Sequence, residues 1–152
     1  MLSAGDHIRN LLGTYCRLID SGDFDAVGQL FADATLHAED GTLVATGARE
    51  AAQVYAGMTR RHHDGTPLTQ HVVANTVLEE LGENTIRAAS NYLVLQATDT
   101  LPLQPIITGG YVDTFVHEND AWRFADRRFS VGRIGNLSQH LTQAPRGTEQ
   151  SE

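Results

Sequence analysis

The chain carries 152 residues, 41% hydrophobic and 20% charged, which suits a single domain large enough to bury a core. Its formal charge of −8, with only 11 Lys and Arg scattered along it, argues against nucleic acid and anionic membrane as partners, because both reward clustered positive charge. A small molecule is the expected ligand.

A single cysteine, Cys16, rules out internal disulfides and multi-cysteine metal sites, and its place in an apolar run reads as a buried small hydrophobe. The start MLSAGDHIRN lacks a basic segment followed by an apolar stretch, and no run approaches the ~18 apolar residues of a membrane span. A soluble, cytoplasmic protein is expected.

Ile8, Leu11, Leu12, Tyr15, Leu18 and Ile19 recur at three- and four-residue spacing and predict a first amphipathic helix ending near Asp20. Ser21-Gly22 breaks it, Asp23 is a plausible N-cap, and Phe24, Val27, Leu30 and Phe31 predict a second, shorter helix. ATLHAEDGTLVATG alternates Leu36 and Ala38 against His37 and Glu39 and crosses Asp40-Gly41, a hairpin signal. Ala51, Val54, Tyr55 and Met58 predict a third helix through about Arg60, followed by the polar loop HHDGTP.

Four β-branched and aromatic runs follow, over residues 68–81, 85–97, 106–117 and 122–131, with tight connections at 82–84 and 118–120 that make the sheet mostly antiparallel. The pair Gly109-Gly110 inside a strand implies a strong bend or the close approach of another backbone. The fold class is therefore α+β: a curved sheet around three N-terminal helices, leaving an interior cavity. The domain is placed at 1–135, with 136–152 a polar tail frayed over its last ten or so residues.

Asp20 is an anomaly, because an acid in the last turn of a helix meets the negative end of the macrodipole. It either serves the Ser21-Gly22 turn as an Asx-type residue or meets a partner from elsewhere. Alternation puts Thr69, His71, Val73 and Asn75 on one face of the first long strand, and histidine is the side chain suited to take and return a proton near neutral pH. A meeting of Asp20 with His71 Nδ1 would orient that base. By the same alternation Ser90, Tyr92, Val94 and Gln96 share a face, as do Gly109, Tyr111 and Asp113. His62-His63 and His37-Ala-Glu39 have no recognised metal spacing and read as solvated. No nucleophile elbow, phosphate loop or dinucleotide fingerprint is present, so neither metal nor cofactor is expected.

The order of elements, with YCRLIDSGDFDAVGQLFAD, TQHVVANT and GGYVDTFVHENDAWRFADRRF, resembles SnoaL-like members of the nuclear transport factor 2-like superfamily over residues 5–135. The resemblance implies a cone-shaped α+β barrel. By motif it is nearest to scytalone dehydratase and hexachlorocyclohexane dehydrochlorinase, and implies catalytic roles for Asp20 in IDSGDFD and His71 in LTQHVV. Gln96 stands where the dehydratase has a second histidine, Tyr15 where the dehydrochlorinase has a lysine, and Arg127 matches its arginine.

These readings together give a cofactor-independent lyase or isomerase acting on a small apolar molecule, with Tyr15, Tyr55, Tyr92, Gln96, Tyr111 and Arg127 contacting it. The alternative is a non-catalytic binding or assembly module of the same fold. A homo-oligomer, dimer or trimer, is expected through the exposed sheet face.

Overall fold

The computed structural model of the protein describes residues 1–143. Helix α1 spans Ala4–Ser21. The Ser3 hydroxyl accepts from the Asp6 N–H while the Asp6 carboxylate accepts from the Ser3 N–H, a reciprocal capping box. Gly22 closes the helix at φ 76°, where a Cβ would lie 2.4 Å from the Gly65 carbonyl oxygen, so both conformation and space demand glycine. Helix α2, Phe24–Leu30, starts on Asp23, whose side chain accepts from the Ala26 N–H. Helix α3, Gly47–Met58, stops short of Arg60 because Thr59 turns extended and bridges to Leu141.

The strands are β1 Thr35–Ala38, β2 Leu43–Thr46, β3 Thr69–Gly82, β4 Thr85–Gln96, β5 Gln104–Glu118 and β6 Ala121–Ile134. They form one sheet in the order β2-β1-β6-β5-β4-β3, antiparallel throughout except where β1 runs parallel to β6. This is the expected α+β cone: three helices and a curved, mostly antiparallel sheet. Register shifts in β3, β5 and β6 bend the long strands. At Gly109 a Cβ would stand 2.1 Å from the Ser130 carbonyl oxygen and 2.4 Å from the Tyr92 hydroxyl, which explains the glycine within a strand.

One expectation about β3 fails. Asn75 does not continue the face of Thr69, His71 and Val73: it takes φ 56° at a register shift between Ala74 and Val77 and is exposed. The bulge consumes a residue, so Thr76 and Leu78 resume the inward face and the Thr76 hydroxyl meets that of Ser90 at 2.9 Å.

Ile8, Leu12, Tyr15, Phe31, Phe115 and Phe124 join the helices to the concave side of the sheet in one buried cluster. Each such side chain contributes about 1.5–3 kcal/mol on burial. The expected interior is therefore largely occupied by rings, with Phe124 packed against both Phe31 and Phe115.

The chain after β6 is more than a tail. Leu137 packs against the core, His140 is buried, and the Arg60 N–H donates to the His140 carbonyl at 2.7 Å. The expected fraying of the last ten or so residues lies outside the described residues. Among the described residues, no helix is long and apolar enough to cross a membrane.

Candidate functional site

The last turn of α1 lies against the start of β3, and there the misplaced acid finds its donors. Asp20 Oδ1 accepts from the Thr69 hydroxyl at 2.8 Å and from His71 Nδ1 at 2.6 Å, while Oδ2 accepts the His71 backbone N–H at 2.8 Å. These three bonds offset the unfavourable helix end. The Asx reading is not what forms: the Gly22 N–H bonds the Ile19 carbonyl, and the Ser21 hydroxyl bonds that of Leu18.

A carboxylate is acceptor-only, so the contact puts the imidazole proton on Nδ1 and leaves Nε2 as the acceptor nitrogen. Nε2 has no protein partner among the described residues. The His71 side chain is 7% exposed and that of Asp20 19%. Both border an open groove of about 940 Å³ between α1 and β3, walled by Leu12, Cys16 and Val73 with Arg17 at its edge. The hollow thus runs along the outer strand of the sheet, beside the ring-filled interior. Burial pushes the Cys16 thiol up to about 11, which keeps it an inert apolar wall.

Behind His71 stands Tyr15, their ring centroids 6.2 Å apart. Tyr15 also meets Tyr55 and Tyr111, each at 5.9 Å, and its hydroxyl is 3.4 Å from that of Tyr111. Burial raises both the Tyr15 and Tyr111 hydroxyls, so they are protonated donors at neutral pH. Tyr92 stacks on Tyr111 at 4.5 Å, and its hydroxyl donates to the Ser130 carbonyl.

Of the two neighbouring arginines, Arg127 points inward and is fully buried, while Arg128 is exposed. Arg127 Nε and Nη2 clasp the Asp113 carboxylate at 2.7 and 3.0 Å, and the guanidinium lies over the rings of Tyr111 and Tyr15 at 3.8 and 4.2 Å. Burial opposes its charge, but Asp113 more than restores it, raising Arg127 further. Nη1 has no partner. Tyr15 lies between Arg127 and His71, so the arginine stands one ring removed from the imidazole.

Gln96 is placed differently from the rest. It is buried at the end of β4, where its amide nitrogen donates to the carbonyls of Pro67 and Gln139, tying the C-terminal segment down. That segment delivers His140, which sequence reasoning missed: a lone histidine in a polar stretch gives no periodic signal. Its ring is 6.1 Å from that of His71. Burial and the neighbouring His71 push it down to about 4, so it is neutral at pH 7.

A second missed cluster sits elsewhere. Asp126 Oδ1 receives the Thr35 hydroxyl and His37 Nδ1, both at 2.6 Å, where β1 meets β6. Its signal was in the sequence, because Thr35-Leu-His37 repeats the spacing of Thr69-Gln-His71. His62, expected in a solvated loop, donates through Nε2 to the Gln139 carbonyl at 2.8 Å.

A SnoaL-like domain model matches residues 1–128. The chain belongs to the SnoaL-like family. Among solved structures, this SnoaL-like chain is similar to ActVI-ORFA from Streptomyces coelicolor, with TM-score 0.70, 18% identity, and coverage of 87% of this chain and 100% of that one. A candidate scytalone dehydratase from Novosphingobium aromaticivorans gives TM-score 0.69 and 19% identity over 97% of this chain and 94% of that one. The β subunit of a candidate aromatic-ring-hydroxylating dioxygenase from the same organism gives 0.67 and 16% over 85% and 89%. At such identities the likenesses speak for the fold alone. No curated protein matches significantly in sequence.

Proposed function

We propose that this SnoaL-like protein is a cofactor-independent lyase or isomerase, dehydratase-like, acting on a small apolar molecule with His71 as general base. The observation that carries the reading is the Asp20 contact: one nitrogen of His71 is held at 2.6 Å and the other has no partner among the described residues beside the groove.

In this reading Nε2 takes a proton from a carbon activated by a neighbouring carbonyl or leaving group. The C–H electron pair becomes a double bond and either expels a leaving group from the next carbon or waits for the proton to return at another carbon. Asp20 holds the ring and stabilises the imidazolium, a contribution of about 10²–10⁴ in rate for such a base. Tyr15, Tyr55, Tyr111 and Arg127 form an aromatic and cationic layer behind the groove, from which the Tyr15 and Tyr111 hydroxyls and Arg127 Nη1 would steady developing negative charge, while Tyr92, its hydroxyl given to the Ser130 carbonyl, would offer a substrate only its ring. Gln96 acts one step back by anchoring the C-terminal segment. A cytoplasmic location and a homodimer or trimer joined through the outer sheet face, which exposes Val77, Val112 and Val131, belong to the same proposal.

The test is a screen of ketone, polyketide-like, terpenoid-like and sterol compounds, read by product formation and by solvent deuterium entering the carbon skeleton. Asp20→Asn and His71→Ala are expected to lose turnover about 10²–10⁴-fold with circular dichroism unchanged. Full activity in both variants overturns the reading.

The rival, a non-catalytic binding or assembly module, is favoured by one observation: rings fill much of the concave interior. It predicts saturable binding in the screen with neither product nor deuterium exchange.

A further inference from the structure

His140 is 6% exposed, and its Nδ1 is one of three buried side-chain polar atoms without a partner among the described residues. The other two are Arg127 Nη1, among aromatic faces, and Gln96 Oε1, on an amide whose nitrogen already makes two bonds. His140 is the one beside the candidate base, with ring centroids 6.1 Å apart and planes inclined at 64°.

A buried nitrogen left bare costs about 1–3 kcal/mol, and histidines that serve only packing bond a carbonyl or a hydroxyl. Nothing in the way the segment is held requires this imidazole. The Gln139 carbonyl accepts from Gln96 Nε2 at 2.9 Å and from His62 Nε2 at 2.8 Å. The His140 carbonyl accepts from the Arg60 N–H at 2.7 Å, and the Thr142 N–H donates to the Met58 carbonyl at 2.9 Å. Backbone and neighbours thus fix residues 139, 140 and 142 and carry the ring, unbonded, to His71. These residues lie beyond the stretch matched by the family model, which ends at 128.

We propose that His140 is a substrate-binding residue of this site, its Nδ1 hydrogen-bonding a hydroxyl or carbonyl oxygen of the molecule whose C–H faces His71. The proposal rests on the general-base reading above and narrows its substrate class. The ligand is a small, mostly apolar compound that carries an oxygen near its acidic carbon; a bare hydrocarbon or halocarbon would leave Nδ1 unbonded. The two imidazoles then divide the work: His71, with a carboxylate against it, takes the proton, while His140, with none, stays neutral and orients the oxygen.

The experiment uses the full chain labelled with ¹⁵N-histidine and a matched set of probes, 1-tetralone, 1-tetralol and tetralin. The oxygenated probes are expected to shift His140 Nδ1 and to perturb His71, whereas tetralin leaves His140 Nδ1 in place. His140→Leu should weaken tetralone or tetralol by about five- to tenfold, the worth of one hydrogen bond, and leave tetralin unchanged, with His140→Gln recovering part of the loss. If the oxygenated probes perturb His71 and leave His140 fixed, the His140 assignment falls and the general-base reading survives. If no probe perturbs either imidazole, both fall. An unchanged ratio of tetralone to tetralin affinity in His140→Leu also overturns the assignment.

Discussion

Two places in this molecule carry the same three side chains in nearly the same arrangement. In one, Thr69 and His71 of β3 meet Asp20 Oδ1 at 2.8 and 2.6 Å; in the other, Thr35 and His37 of β1 meet Asp126 Oδ1 at 2.6 and 2.6 Å. Bond lengths do not distinguish them; their settings do. Asp20 comes from a helix end across a groove and also holds the His71 backbone N–H, whereas Asp126 lies on the strand directly paired with β1. The first pair of side chains is 7% and 19% exposed, the second 24% and 32%. His71 has Tyr15 and His140 for neighbours, and the second cluster clips the short parallel strand β1 to β6. An Asp–His contact is therefore not in itself a site: an unbonded nitrogen beside a hollow is what makes one.

The sharpest way to break the comparison is to transfer the same substitutions. His37→Ala and Asp126→Asn are expected to keep turnover within about twofold, against the 10²–10⁴-fold losses at His71 and Asp20. Steady-state kinetics on a substrate from the screen decides this, and equal losses at both clusters would abolish the distinction drawn above. Next in size is the ion pair beneath the first cluster. Asp113→Ala strands a fully buried guanidinium and should cost about 3–5 kcal/mol in urea unfolding, while Glu118→Ala, at an exposed pair with Arg123, should cost under about 1 kcal/mol.

Much of this was legible in the sequence, for identifiable reasons. Helical and strand periodicities gave the elements, and Gly109-Gly110 gave the bend because a Cβ has no room there. Asp20 was visible as an electrostatic misfit at a helix end. Arg127 over Arg128 came from resemblance, since aromatics on both faces of β6 leave alternation ambiguous. Asn75 was misplaced because a bulge shifts the period by one without a sequence mark, and Gln96 was read as a substrate contact, its bonds to the distant Pro67 and Gln139 carbonyls having no local signal. His140 depends on where the segment after β6 docks, a tertiary fact no local pattern records.

That histidine adds a contrast in acid. In the unfolded chain an imidazole titrates near ~6.5, but folded His140 is held down to about 4, by burial first and then by His71 and His62, with Asp20 pulling the other way. Between these values the unfolded state binds the extra proton, so folding stability is full above ~6.5, falls as pH drops, and has lost up to about 3 kcal/mol near pH 4. His140→Leu should flatten this part of the urea-midpoint profile, whereas His37→Gln should leave it in place. A profile unchanged in His140→Leu would place the acid sensitivity elsewhere.

The smallest expected difference isolates the hydroxyls. Thr69→Val and Thr35→Val are equal in shape, and each removes one O–H donor from an ionised carboxylate oxygen. At Asp20 the lost bond is to a charged acceptor in a screened pocket where Oδ1 keeps only His71, so the cost should approach about 1.5–3 kcal/mol. At Asp126, a third exposed, water can replace the hydroxyl, and the cost should be about 0.5 kcal/mol. Thr69→Val should in addition alter turnover, because Oδ1 is the atom that orients the His71 ring; Thr35→Val should not. Parallel urea titrations and kinetics on the two valine variants measure this directly, and equal costs with equal activities would mean that burial does not separate the two clusters.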